Sequence, residues 1–287
     1  YMSNHPGANF IGSPYVSTEN RVYIIHKDRL LSLNAATGEL VTEFRLPEIQ
    51  DLEVKEFGHI MVSGDYLITA IGPQIFEEGE QPGKESNWNA TSSSVLLIMD
   101  RHSGEVLWMK KSEQGFRHNA IVAGENRLFL VDGLSEGVVK ILRRRGEHIT
   151  DSRLLSLDLE TGQELWSMNE NVFGTWLGLY EDKGILLQGG RRGARRPLPD
   201  EPDDRLIAHN SSTGEILWEA RHKYTGPLGL HPDMIIPGDP EEPAFEPETG
   251  EVVFRDHPVT GEDYRWEWYK TYGCGTMNSS RHLIGFR

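Results

Sequence analysis

Ser156-Leu-Asp158-Leu-Glu-Thr161-Gly162-Gln-Glu-Leu-Trp166 is the stretch on which the reading of the whole chain turns. An Asp followed three residues later by Thr-Gly is turn chemistry. The carboxylate caps its own backbone two residues on, and Gly takes the left-handed conformation at the turn exit. Apolar residues alternate on both sides, Leu155 and Leu157 before the turn and Leu165 and Trp166 after it. The stretch therefore reads as a hairpin between two short strands. The same spacing returns at Asn34-Ala-Ala-Thr37-Gly38, at Asp100-Arg-His-Ser103-Gly104 with Trp108, and at Asn210-Ser-Ser-Thr213-Gly214 with Trp218. A weaker copy is Glu246-Pro-Glu-Thr249-Gly250 with Phe254. The first copy carries Thr42 at the aromatic position, and Phe44 lies two residues further on.

A second element precedes each hairpin: an apolar run, a tight polar turn, and another apolar run. Tyr15 to Ile25, Met61 to Ile68, Ile121 to Leu130, Leu179 to Leu187 and the poorer Leu230 to Ile236 have this form. Each unit then holds four short strands, and four-stranded units repeated around an axis make a β-propeller. The repeat glycines at 38, 104, 162, 214 and 250 are 66, 58, 52 and 36 residues apart. A blade needs only ~40–45 residues, so insertions are expected near 77–94, 134–150 and 189–204, the middle one with a short helix around Val138–Arg145. Met277 to Phe286 begins a partial sixth unit. With Tyr1 at the start and a strand-like run at 282–287, a piece of a longer polypeptide is expected. The fold expected is all-β, one propeller domain or propeller segment over 1–287, possessing five repeats plus a partial sixth within a ring of six to eight blades.

At these residues the units resemble the repeats of the pyrroloquinoline-quinone (PQQ) type of β-propeller. That family's pattern is a small residue, any residue, Asp, two residues, Thr-Gly, three residues, Trp. Ala208-His-Asn210 with Thr213-Gly214 and Trp218 follows it closely, as does the Ser156 copy; Ile98, Thr42 and Phe254 depart from it. The resemblance implies that Trp108, Trp166, Trp218 and Phe254 dock neighbouring blades, which is also what a large aromatic repeated on one strand does by itself. It implies two functional branches. One comprises quinoprotein dehydrogenases, which hold PQQ and calcium in the funnel and commonly carry a vicinal Cys-Cys pair. The other comprises non-enzymatic propellers that present surfaces to partner proteins. Cys274 lies alone between Gly273 and Gly275, and no calcium-ligand set stands out, so the resemblance favours the second branch.

Composition narrows the partners. The 287 residues carry a net charge of −15 with one Cys, 30 Gly and 15 Pro. One Cys excludes a disulfide framework, and no apolar run approaches the ~20 residues of a membrane helix. The negative charge repels phosphates and argues against nucleic acid. Arg143 to Arg145 and Arg191 to Arg196 run against the trend. They read as solvated loops neutralised by neighbouring acids, or as an anion-binding rim.

Function in a propeller gathers where the inner strands open into the central channel. The segments before each inner strand supply His59, Arg117, His118, Asn119, Trp176, Tyr272 and Cys274 as ligand-binding candidates. His59, His118 and His231 are read either as an acid–base or metal cluster or as groups satisfying the local backbone. Arg117 is read as an anion ligand or a salt-bridge partner, Trp176 as a stacking surface or core, Cys274 as a reactive or an inert thiol. No catalytic constellation and no metal site follows. The expected function is a binding or scaffold module within a larger exported bacterial protein, periplasmic or extracellular as the resemblance implies. Its partner is another protein, another domain of the same polypeptide, or a small-molecule or saccharide ligand. The alternatives are a PQQ- and calcium-dependent oxidoreductase of alcohols or sugars, and a propeller-type carbohydrate-active enzyme.

Overall fold

The computed structural model describes residues 15–50, 52, 55–73, 92–134, 136–174, 176–190, 202, 204–221, 223–224, 228–236, 243–253, 255–256 and 263–264. The chain divides into two compact units, one ending at Val172 and the other starting at Phe173. The first unit holds three blades. Blade 1 is β1 (Tyr15–Ser17), β2 (Arg21–His26), β3 (Arg29–Asn34) and β4 (Leu40–Arg45), hydrogen-bonded in that order. Blade 2 is β5 (Phe57–Ser63), β6 (Tyr66–Pro73), β7 (Ser92–Asp100) and the first half of β8 (Val106–Gly124). Blade 3 takes the second half of β8, then β9 (Arg127–Asp132), β10 (Arg153–Asp158) and β11 (Glu164–Met168). The helix α1 (Glu136–Arg144) is inserted between β9 and β10 and packs Leu142 against Leu134, Val139 and Ile149.

The second unit holds blade 4, β12 (Trp176–Tyr180), β13 (Ile185–Gly189), β14 (Arg205–Asn210) and β15 (Ile216–Arg221), again in sequential order. Blade 5, in its described residues, is β16 (Gly229–His231), β17 (Met234–Ile236), β18 (Ala244–Phe245) and β19 (Val252–Val253), followed by the pair β20 (Arg255–Asp256) and β21 (Asp263–Tyr264). The architecture is the β-propeller expected from the repeats, nearly all strand with one helix among the described residues. Insertion 134–150 contains that helix; insertions 77–94 and 189–204, Phe254, Tyr272, Cys274 and the partial sixth repeat lie wholly or mostly outside the described residues.

The turns form as their residues dictate. Asn34 Oδ1 accepts the amides of Ala36 and Thr37, Asp100 Oδ1 those of His102 and Ser103, and Asn210 Oδ1 those of Ser212 and Thr213. All five repeat glycines have positive φ, between 71° and 79°. Val95 to Met99 of β7, in the middle of blade 2, is an unbroken apolar run because both of its faces are buried. Successive side chains point to opposite faces, so Leu67, Val95, Leu97 and Met99 pack against Tyr23, Leu30 and Phe44 of blade 1. Their neighbours Ile68, Ala70, Leu96 and Ile98 pack against Phe116, Leu128, Leu130, Leu155 and Leu157 of blade 3.

One departure from four separate strands per unit is β8, which runs 19 residues from the outside of blade 2 to the inside of blade 3 without a turn. The register with β7 shifts between Ser93 and Val95, and the register with β9 between Phe116 and Ile121. The buried Asp132 carboxylate explains the crossing. It accepts the backbone amides of Glu113 at 2.8 Å and of Gln114 and Gly115 at 3.0 Å, so the amides freed between the two pairings are satisfied.

Candidate functional site

The inner strands of blades 2 and 3 bring together two of the residues singled out in the sequence. His59 sits near the start of β5 and His118 just inside the blade 3 half of β8. Their rings stack with centroids 5.5 Å apart and planes inclined by 28°. Both are buried, at 8% and 2% exposure. Ser93, the second residue of β7, shares a 2.7 Å hydrogen bond between its Oγ and His118 Nε2. Among the described residues, both ring nitrogens of His59 and Nδ1 of His118 have no hydrogen-bond partner.

Burial without compensating partners disfavours the charged imidazolium. Desolvation pushes His59 down to about 4. His118 is pushed well below its ordinary range by desolvation first and by the neighbouring His59 second. At neutral pH the pair is therefore two uncharged rings. The arrangement offers lone pairs and N–H donors in a buried interior, not a charged anion site.

Arg117 precedes His118 on β8, and adjacent strand residues face opposite sides. Its guanidinium is buried and its Nε donates to Gly133 O at 2.8 Å, its Nη2 to Leu134 O at 2.5 Å. Those bonds fasten the start of the α1 insertion to the inner strand. Asn119, half-buried, follows on the same strand. Trp176 belongs to the second unit, at the start of β12, and is buried against Gly178 and Gly189. His231 lies on β16, where its Nδ1 accepts the Asp233 amide at 3.2 Å. Ser93 and Asp132 were missed in the sequence. Ser93 stands in the uninformative run Ser92-Ser93-Ser94, and Asp132 looks like any polar residue closing a strand.

The aromatic contacts are laid out on the outer strands. Trp108 donates its indole N–H to Leu159 O at 2.9 Å, and its ring covers Gly162, where a Cβ would lie 2.7 Å from Cδ2. Trp218 repeats this in the second unit, donating to Pro247 O at 2.9 Å and covering Gly250 at 2.7 Å from Cε3. Phe44 covers Gly104 in the same manner, although it stands two places beyond the repeat position. Trp166 tilts onto Phe129 of its own blade, with centroids 6.0 Å apart.

A calcium-bound quinone would need a set of cation ligands among these residues. Among the described residues no three His, Cys, Asp or Glu side chains gather as a cation site. The Arg117 donors face carbonyls, the Asp132 oxygens face amides, and the histidines stack on each other. The described residues do not fit that group. A polar cleft of about 430 Å³ lies elsewhere, lined by Glu113, Thr150, Asp151, Arg153, Ser167 and Asn169 with Met168. It contains none of the channel candidates.

Sequential four-stranded meanders closed by Asx turns, with an outer-strand aromatic laid over the next turn glycine, define a β-propeller fold. Among solved structures the chain is similar to a europium-containing methanol dehydrogenase (TM-score 0.52, 11% identity, 83% of this chain and 49% of that chain). It is similar to the quinohemoprotein alcohol dehydrogenase of Comamonas testosteroni (TM-score 0.52, 10% identity, 88% of this chain and 45% of that one). BamB from Moraxella catarrhalis superposes with a TM-score of 0.47 at 14% identity, over 82% of this chain and 56% of that one. The chain thus spans about half the length of the structures it matches. At these identities the likeness defines the fold alone. No protein-family model and no curated protein matches the sequence.

Proposed function

We propose that residues 1–287 form one propeller domain that serves as a binding or scaffold module of a larger exported bacterial protein, in the periplasm or outside the cell. Its partner is another protein or another domain of the same polypeptide. One observation carries this reading. Of the eight large hydrophobic side chains exposed among the described residues, seven lie on outer strands: Leu40, Val41, Leu107, Met109, Leu165, Ile216 and Leu217. A repeated exposed apolar position on open sheet edges suits recognition of a macromolecule. No helix among the described residues is long and apolar enough to cross a membrane.

Titration with PQQ and calcium tests the reading. The expected result is no stoichiometric shift of the quinone absorbance and no dye-linked oxidation of ethanol or glucose. A one-to-one shift with turnover overturns it.

A further inference from the structure

The outer strands are not equivalent, and blade 2 is the exception. In blades 1, 3 and 4 the residue three places before the small repeat residue is Arg: Arg29, Arg153 and Arg205. Each reaches across to the outer strand of its own blade. Arg29 pairs with Glu43 at 3.6 Å, Arg153 with Glu164 at 3.0 Å and Ser167 at 2.8 Å, Arg205 with Glu219 at 2.9 Å. In the blade 2 register, Val95 opposite Lys111 stands where Arg205 opposite Arg221 stands in blade 4. Met109 takes the place of Glu219. The clamp is replaced by an apolar pair and an uncompensated cation.

The consequence is a strip unlike the other edges. Leu107 and Met109 are 42% and 51% exposed on one face of the strand, followed on that face by the exposed Lys111. Lys110 and Lys111 have no ion pair among the described residues, in a chain of net charge −15. On its inner side the segment 106–111 pairs with β7; on its outer side no strand pairs with it among the described residues. The pairing with β7 bulges at Leu107, and beyond it, over 108–111, alternate backbone N–H and C=O groups are directed outwards beside two apolar side chains and two lysines. Native edges are usually blunted against added strands by charge or bulges. Here the lysines admit one class of strand and discourage the rest, because they favour an acidic one.

We propose that the outer edge of β8, residues 106–111, docks an extended segment of a partner protein by strand addition. The segment alternates apolar residues, which lie over Leu107 and Met109, with acidic residues on the opposite face beside Lys110, and Lys111 adds to the positive field at the end of the strip. This deepens the binding-module reading and rests on it.

The test uses the whole chain and a fluorescein-labelled ten-residue peptide alternating valine with aspartate. Saturable anisotropy change is expected, with slowed hydrogen exchange at alternate amides of 106–111. Leu107→Lys with Met109→Lys, and separately Lys110→Glu with Lys111→Glu, are expected to weaken binding at least tenfold. Leu217→Lys, on the outer strand of blade 4, is expected to leave it unchanged. All these side chains are exposed or half-exposed, so folding is checked by an unaltered melting temperature. Absence of binding, or equal binding by the blade 2 variants, overturns the proposal. So does concentration-dependent dimerisation abolished by those variants, because the occupant is then a second copy. Those failures leave the binding-module reading standing when PQQ is not bound, whereas PQQ turnover removes that reading and leaves edge binding to be scored by the peptide.

Discussion

At its outer and inner ends, the apolar interface between blades 2 and 3 closes with two contacts built on opposite principles. At the outer strands Trp108 lies over Gly162 and donates to Leu159 O, an aromatic plate on a turn whose polar groups are satisfied. At the inner strands His59 stacks on His118, with three of four ring nitrogens unpartnered among the described residues. The outer contact recurs in the second unit as Trp218 over Gly250; the inner one uses residues that no repeat position specifies. The repeat holds the blades together, and the departures from the repeat place titratable groups between them. Such departures from local consistency are where function or strain is expected.

The largest effect is expected from Gly162→Val. The residue has φ +73°, and a Cβ there would meet Trp108 Cδ2 at 2.7 Å, with indole carbons on three contacts. Left-handed strain in a β-branched residue and overpacking against a plate fixed by its own hydrogen bond together cost about 4 kcal/mol. Urea denaturation measures it. Gly38 is the internal control: it has φ +74° at the same repeat position but nothing within 4 Å. Gly38→Val should lose only the backbone part, about 2 kcal/mol. Equal losses at the two sites would show that the aromatic cover contributes nothing.

The inner contact should break with acid. The folded pKa of His59, near 4, lies below the ordinary value of about 6.5, so the unfolded chain takes up the proton first. Stability is then full above about pH 6.5 and falls as the pH drops towards 4. At 1.36 kcal/mol per unit, His59 alone accounts for a loss of about 3 kcal/mol across that window. His118 shifts in the same direction and steepens the slope. The turn carboxyls act lower. Asp100 is held below its usual range by the Ser103 amide first, and Asp158 by the Thr161 hydroxyl first, so their contribution fades only below about pH 4. Melting temperatures between pH 7 and 4.5 should fall for the native chain and fall much less for His59→Leu with His118→Leu, in which the remaining slope comes from His209, whose imidazolium burial also disfavours. An equally steep fall in that double variant would clear the stacked pair of the effect.

A smaller change touches the single bond that the inner contact does make. Ser93→Ala removes the partner of His118 Nε2 and leaves that nitrogen buried without one, at a cost of about 2 kcal/mol. Ser93→Thr keeps the hydroxyl and should restore most of the loss. If the alanine variant melts like the native chain, the hydrogen bond contributes nothing.

The same contrast explains what could be read in the sequence. A turn is local: five residues contain the cap, the hydroxyl and the glycine, so Asp158-Leu-Glu-Thr161-Gly162 announces itself, and the strand period follows from its flanks. Phe44 was nearly hidden because it reaches Gly104 from two places beyond the repeat position. The meeting of His59 and His118 was only a possibility, because their closeness is set by how two inner strands stack, 59 residues apart. Ser93 carried no signal at all. Its partner lies across a sheet register that shifts between Ser93 and Val95. Asp132 was invisible for the same reason, since the amides it gathers become available only when β8 changes partners. Arg117 was read as an anion ligand or a salt-bridge partner, but the carbonyls of Gly133 and Leu134 that accept from it have no sequence signature.

The smallest and most discriminating change is Trp108→Phe. Phenylalanine keeps an aromatic plate over Gly162, as Phe44 does over Gly104, but has no donor for Leu159 O. That carbonyl lies in the turn that opens the hairpin of blade 3, so losing the N–H leaves a half-buried acceptor for water to reach. The expected loss is about 1 kcal/mol, the net value of one neutral hydrogen bond. Trp108→Ala also uncovers the glycine and should lose about 3 kcal/mol, near the low end for burying so large a ring. If phenylalanine costs as much as alanine, the indole hydrogen bond and not the aromatic cover joins the outer strands. Phe44 would then have to hold blades 1 and 2 by some means that blades 2 and 3 do not share.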